Sequence, residues 1–233
     1  MSAPVITARA PAVESCPVTG CETVPVPAQV RSRVIVIAGP SGSGKTRLCR
    51  RLGLPVLSLD DYYKDGDDPS LPVVDLAGGA PIVDWDSPDS WRLSDSLAAI
   101  ETLCRDRAVD VPAYDISQSR CTGQHRLDLA GSAYFVAEGI FAQEVVEQCR
   151  QRGLLAAAIC VTQHPVVTFF RRLSRDLREH RKPPGVLVRR GLHLLREQRR
   201  VVAHAEALGC RAQHPDAAYA EITALVRRAG RTP

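Results

Sequence analysis

Arg33-Val-Ile-Val-Ile-Ala-Gly39-Pro40-Ser41-Gly42-Ser43-Gly44-Lys45-Thr46 is the stretch that decides how the rest of this chain is read. A β-branched run ends in glycine and is followed by the spacing G-x-x-x-x-G-K-[ST], a phosphate-cradling loop between a strand and a helix. Glycines let backbone N–H groups converge on phosphate oxygens with no Cβ in the way, and the following helix adds partial positive charge at its N-terminus. Gly39, Pro40, Ser41, Gly42, Ser43, Gly44, Lys45 and Thr46 are therefore the candidate nucleotide-binding residues. Lys45 is placed to reach the β and γ phosphates and Thr46 to set its hydroxyl on Mg²⁺. Val34 to Ile37 are apolar enough for a buried strand, and Arg47 to Leu52 continue as helix formers. The segment implies a bound nucleoside triphosphate, with ATP and Mg²⁺ as the expected cofactors.

Working outward, 233 residues with 45% apolar and 24% charged side chains suit a globular chain with a substantial core. Residues 1–30 are rich in Ala, Val, Pro and Thr without helical or strand period, and are expected to be a mobile tail. A single domain is expected over 31–233. The longest apolar run, Leu154 to Val161, is far too short for a membrane span, and no charged start precedes an apolar block as in a secretory signal. A cytoplasmic protein without membrane partners is the expectation. The eight cysteines are scattered; only Cys16 and Cys21 lie close together, and no histidine accompanies them, so neither a disulfide framework nor a zinc site is expected. The six histidines show no metal-ligand spacing.

Strands alternating with helices point to a three-layer α/β fold with a mostly parallel sheet. Pro55 to Leu59 reads as a second strand that delivers Asp60 to the carboxyl edge of the sheet, where ligands bind in open α/β folds. A transferred phosphoryl group needs an acceptor hydroxyl in line and a group to take its proton. Asp60 is the candidate base; capping of the following turn by Asp60 and Asp61 is the competing structural reading. Tyr134 to Ala137 reads as a further buried strand ending at Glu138, a carboxylate placed to hold Mg²⁺ directly or through water. Val109 to Ala113 is expected as an edge strand of the sheet. A helix is expected from about Phe141 to Arg152, and another from about Asp216 to Arg228.

Charge is unevenly distributed. Residues 60–89 hold nine aspartates against Lys64, whereas 171–200 hold eleven basic groups against Asp176, Glu179 and Glu197. An acidic half that can hold metal and hydroxyls, facing a basic half that can hold phosphates, suits phosphoryl transfer. The arginines at 171, 172, 175, 178 and 181, with Lys182, recur at helical spacing before Pro183-Pro184-Gly185, like a lid over about 171–190 whose cations meet phosphates on closure. A solvated polar face accounts for several of them. No nucleic-acid partner is expected, since aromatics do not interleave with these charges. Tyr62, Tyr63, Tyr114, Trp85 and Trp91 lie in or beside the acidic region, either as a platform for a flat ligand or as packing for the loop.

Taken in order, these segments resemble the uridine kinase family of P-loop nucleoside and small-molecule kinases, over about Arg33 to Arg228. The resemblance is carried by Gly39 to Thr46, Asp60-Asp-Tyr-Tyr-Lys64, Trp85-Asp-Ser-Pro-Asp-Ser-Trp91, Pro112-Ala-Tyr-Asp115, Glu138-Gly-Ile140 and Arg171-Arg-Leu-Ser-Arg-Asp176. It implies that Asp60 is the catalytic aspartate, that Asp86 grips ribose hydroxyls and that Tyr114 contacts the pyrimidine. It places Arg172, Arg175 and Lys182 on the basic lid and Asp216 near the adenine, with Thr46, Asp60 and Glu138 around Mg²⁺. The chain departs from the family where a base-reading histidine is replaced by Ser117-Gln118-Ser119-Arg120, where Arg190 stands for a glutamine, and where His180 stands for a lid arginine.

The expected activity is transfer of the γ-phosphoryl group of ATP to a small-molecule hydroxyl, foremost the 5′-hydroxyl of uridine or cytidine. Gln118 and Arg190 keep open a different acceptor such as pantothenate, glycerate or a sugar phosphate, because an added guanidinium can meet an anion. A nucleotide-binding regulatory protein is the third reading. A homo-oligomer is compatible with all three.

Overall fold

Alternate side chains of the first strand face two different cores. Strand β1 (Arg33–Ala38) turns Val34, Val36 and Ala38 to one side and Ile35 and Ile37 to the other, and all five are fully buried. A strand apolar on both faces must lie inside a sheet covered by helices on each side. The computed structural model describes residues 29–75, 81–164, 167–168 and 198–229, and it shows this arrangement.

Five parallel strands form the sheet. Their spatial order is β2 (Val56–Ser58), β7 (Tyr134–Glu138), β1, β8 (Leu155–Val161) and β9 (Arg211–Gln213). Helix α1 (Lys45–Leu52) and the C-terminal helix α4 (Pro215–Ala229) cover one face, where Leu48, Cys49, Ala218 and Ile222 meet Ile35, Ile37, Val136 and Ile159. On the other face, α2 (Leu93–Asp106) and α3 (Val146–Gln151) bring Leu97, Ile100, Leu103, Val146 and Cys149 against Val34, Val36, Phe135 and Ala137. Each fully buried Val, Ile or Leu contributes about 1.5–3 kcal/mol relative to exposure. The three-layer α/β architecture is thus the one read from the sequence.

Register sets the site. In the parallel ladder Glu138 lies level with Ile37 of β1 and with Ser58 of β2, so three carboxyl ends finish together. The first described backbone anchor is Arg31, whose N–H donates to the Cys104 carbonyl at 2.8 Å, with Ser32 N–H on the same oxygen at 3.0 Å.

Three details differ from the expectations. Val109 to Ala113 is not an edge of the main sheet: it belongs to β5 (Ala108–Asp115), which pairs antiparallel with β6 (Arg120–Asp128) as a separate hairpin. The polar segment after Asp115 supplies its own partner strand, so β5 needs no ladder from the sheet. The second strand stops at Ser58, and Asp60 sits in a 3₁₀ turn, Leu59–Tyr62, rather than on the strand end itself. The expected helix from Phe141 begins with a 3₁₀ turn, Ala142–Val145, before α3. A further short hairpin joins β3 (Val73–Val74) to β4 (Ile82–Val83). The tail, in residues 1–28, and the basic segment 171–190 with Arg172, Arg175, Lys182 and Arg190 lie outside the described residues.

Cys49, Cys104, Cys149, Cys160 and Cys210 are buried free thiols and Cys121 is an exposed one. Burial pushes the thiol of Cys104 up to about 12 and that of Cys160 to about 11, so both behave as small apolar side chains. The C-terminal helix closes its layer through Ile222, which is fully buried. Ile222→Ala is expected to lower unfolding stability by about 2–5 kcal/mol, read as an earlier urea midpoint with an unchanged m-value; a change under 1 kcal/mol would show that this helix does not complete the core.

Candidate active site

The loop after β1 explains its glycines by geometry. Gly39, Gly42 and Gly44 have φ of 133°, 84° and 105°, a region that side-chain-bearing residues avoid. Gly39 also has no room for a side chain, since a Cβ there would lie 2.4 Å from the carbonyl oxygen of Val161 on β8. Gly44 then caps α1, whose first residue is Lys45. Lys45 Nζ donates to the Gly39 carbonyl at 2.6 Å, which folds the side chain back along the loop. Thr46, next on α1, is exposed, and the Ser43 hydroxyl is buried without a hydrogen-bond partner among the described residues.

Two carboxylates share this edge with Lys45. Burial raises the Glu138 carboxyl above the usual carboxylate range; Lys45 opposes that rise, and Asp60 and Asp61 add to it. Burial likewise pulls the Lys45 ammonium below the usual lysine range, against the pull of Glu138 and Asp60. The structure therefore brings Lys45, Asp60 and Glu138 into one electrostatic group.

Asp60 is held by an amide that sequence reasoning missed. Its Oδ1 accepts the Ile140 N–H at 2.8 Å, passing over Gly139. A Cβ on Gly139 would come within 2.8 Å of that same oxygen, so glycine is what lets the carboxylate seat there. The Glu138-Gly-Ile140 segment carried this signal without showing its use. From the other side, Trp91 Nε1 donates to the Leu59 carbonyl at 2.7 Å and fixes the start of the turn.

The aromatic group divides in two. Tyr62 and Trp91 are buried, 5% and 4% exposed, and serve the core rather than a ligand platform. Tyr63, Trp85 and Tyr114 are half-buried, with Tyr63 ring-to-ring at 5.9 Å from Trp85, 6.0 Å from Tyr114 and 5.9 Å from Phe141. Tyr63 hydroxyl donates to the Trp85 carbonyl and Tyr114 hydroxyl to the Lys64 carbonyl, at 3.3 and 3.0 Å. Asp86 is exposed immediately after Trp85 and bears electrostatically on Tyr63, which places it beside this aromatic wall.

Two expected contacts have local partners instead. Gln118 Nε2 donates to Asp115 Oδ2 at 2.7 Å within the β5–β6 turn. Asp216 accepts Arg51 Nη1 at 2.6 Å at the start of α4; this hydrogen bond holds its carboxyl below the usual range. The Arg51 guanidinium also stacks 4.3 Å from the Tyr219 ring, so Asp216 fastens α4 to α1.

No cluster of three or more His, Cys, Asp or Glu able to hold a metal ion exists among the described residues. A Mg²⁺ bound with phosphates takes only one or two carboxylates and keeps hard oxygen ligands. Thr46, Asp60 and Glu138 are oxygen donors of that kind, so the set fits such an ion without a protein cage.

With this geometry in place, similarity to known proteins becomes informative. No protein-family model matches the chain. A uridine kinase from Deinococcus deserti is 32% identical over 175 residues, covering 72% of this chain and 79% of that protein. The chain belongs to the uridine kinase family. It is a P-loop phosphotransferase that phosphorylates a hydroxyl of a small substrate. A second uridine kinase, from Geobacillus kaustophilus, is 29% identical over 171 residues, or 70% of this chain and 76% of that protein. A crystal structure from Silicibacter sp. TM1040, described as a fructose transport system kinase, superposes with a TM-score of 0.56 at 16% identity. It covers 82% of this chain and 91% of that one, and it shows the shared fold. Among the described residues no helix is long and apolar enough to cross a membrane.

Within the uridine kinase family loop, Gly39 is the tightest position. Gly39→Ala is expected to weaken binding of a fluorescent ATP analogue by about tenfold or more and to lower the melting temperature, because both φ and the Val161 carbonyl oppose a methyl group. Unchanged nucleotide affinity in a folded G39A protein would show that the loop relaxes around it.

Proposed function

We propose that this uridine kinase family member transfers the γ-phosphoryl group of ATP, with Mg²⁺, to the 5′-hydroxyl of a pyrimidine nucleoside. The observation that carries the reading is the Asp60 carboxylate, tied by one oxygen to the Ile140 amide on the edge it shares with Lys45 and Glu138. A carboxylate fixed by one oxygen keeps the other for a proton, and its position is set before the acceptor arrives.

In this reading Asp60 Oδ2 takes the proton of the attacking hydroxyl. Lys45 leaves the Gly39 carbonyl for the β and γ phosphates and meets the negative charge that develops on them. The backbone N–H groups of Gly39 to Thr46 cradle the phosphates. Thr46 and Glu138, with Asp60, would hold Mg²⁺, which would supply charge neutralisation. Tyr63, Trp85 and Tyr114 offer ring faces to a nucleobase, and Asp86 accepts the ribose hydroxyls. Arg172, Arg175 and Lys182 add positive charge from the basic segment, and Asp216 stands on the nucleotide side through α1 and α4. A cytoplasmic location suits an enzyme that consumes ATP. The similarity to curated uridine kinases supports the acceptor class. Gln118, already bonded to Asp115, gives less support to an anionic acceptor such as glycerate or pantothenate.

The test is a radiolabelled ATP assay across pyrimidine nucleosides, purine nucleosides and anionic hydroxy compounds, with and without Mg²⁺. Uridine or cytidine is expected to accept phosphate only with the metal present. Asp60→Asn is expected to lower kcat by about 10²–10⁴-fold with nucleotide affinity kept, and Lys45→Ala by about 10²–10³-fold. Transfer to no hydroxyl compound, or an Asp60→Asn enzyme with full activity, would overturn the assignment.

A further inference from the structure

The β5–β6 hairpin is rooted in the core at one end. Val111 is buried there, Val109 and Leu127 pack against the same cluster, and Leu129 N–H donates to the Arg107 carbonyl at 2.8 Å beside the root. Past Val111 the ribbon leaves the body. Among the described residues no ladder joins it to the main sheet, and eight of the nine residues of β6 are exposed. Tyr114 stands further out on β5, at the end of about 10 Å of extended chain. A two-stranded ribbon has little stability of its own, so its outer half needs a second fastening if Tyr114 is to keep one position.

That fastening lies on the strip of chain that leaves the Asp60 turn. Tyr114 hydroxyl donates to the Lys64 carbonyl at 3.0 Å, Cys121 N–H to Asp65 Oδ1 at 2.7 Å, and Gly66 N–H to the Ser119 carbonyl at 2.6 Å. The bond to Asp65 is made where the β5–β6 ladder slips. Ala113 pairs with Gly123 but Tyr114 pairs with Cys121, leaving Thr122 as the extra residue of a bulge. Gly66 permits the close approach, since a Cβ there would lie 3.1 Å from the Cβ of Ser119. The ion pairs along the seam hold less. Arg120 with Asp67 and Arg92 with Asp65 are each 3.8 Å apart and open to solvent. Among these contacts the Asp65 bond joins a partly buried carboxylate to main chain, and a charged acceptor holds an amide more firmly than a neutral one does.

We propose that Asp65 is a positioning residue, whose carboxylate clasps the outer half of the β5–β6 hairpin at Cys121 and thereby fixes the acceptor's place relative to Asp60. It does not touch substrate. It acts through Tyr114, which shares the aromatic wall with Tyr63 on the same strip, their rings 6.0 Å apart. The kinetic consequence rests on the nucleoside kinase reading; the clasp itself is a property of the fold.

Two measurements on Asp65→Ala and Asp65→Asn decide it. The first is amide hydrogen exchange of the peptide spanning Cys121, which reports local opening and needs no substrate. The second is steady-state kinetics with uridine and ATP varied separately. Asp65→Ala is expected to speed exchange at Cys121 and to lower kcat/KM for uridine by about 10–100-fold, with the KM for ATP unchanged. Asp65→Asn is expected to stay within about threefold of the native protein, because its amide oxygen still accepts the Cys121 N–H. Native exchange at Cys121 in Asp65→Ala, an equal loss for ATP and uridine, or an Asn variant as damaged as the Ala variant would each overturn the proposal. If the native enzyme phosphorylates no hydroxyl compound, the nucleoside reading falls by itself, and the exchange arm still decides the clasp. Should Asp65→Ala not fold, Gly66→Ala loosens the same seam from the Ser119 side. It is expected to give the same faster exchange and the same selective loss for uridine, and its absence would count equally against the clasp.

Discussion

The hydrogen bond from the Ile140 amide to Asp60 Oδ1, made across a bare α-carbon at Gly139, is the contact on which the site depends. It joins the end of β7 to the turn after β2, two neighbours in the sheet whose registers bring Glu138 level with Ser58. The same register sets Glu138 beside Ile37, two residues before the phosphate loop. A parallel sheet therefore aligns a carboxylate turn, a second carboxylate and a lysine without any of them meeting in sequence. Partial burial then makes their charges matter to one another, since water screens them less.

Lys45 is held by opposing influences of this kind. Desolvation disfavours its ammonium, the carboxylates favour it, and the Gly39 carbonyl accepts its hydrogen bond. A cation so balanced exchanges one set of oxygens for another at small cost, which is what a phosphate-binding lysine must do.

Much of this was legible in the sequence because period and spacing encode it. The two-faced burial of Val34–Ala38, the glycine loop and the apolar run before Glu138 are local patterns, and each fell where it was read. What was not legible depended on long-range pairing. Val109 to Ala113 has the composition of a strand, but only the partner at Arg120–Asp128 takes it out of the main sheet. Tyr62 and Trp91, which the sequence left open between ligand platform and loop packing, are core residues in space. The density of aspartate was read as a half that can hold metal and hydroxyls. Asp68 accepts from Ser70, Asp84 from the Asp86 amide and Asp65 from the Cys121 amide, so several of these carboxylates shape turns and seams.

The β5–β6 hairpin has one more consequence. A ribbon that packs on the core through Val111 and is bonded by Tyr114 to Lys64 lies outside the ladder that aligns Lys45, Asp60 and Glu138. The Ser117 to Arg120 turn can therefore change in sequence while the register of the parallel sheet stays as it is.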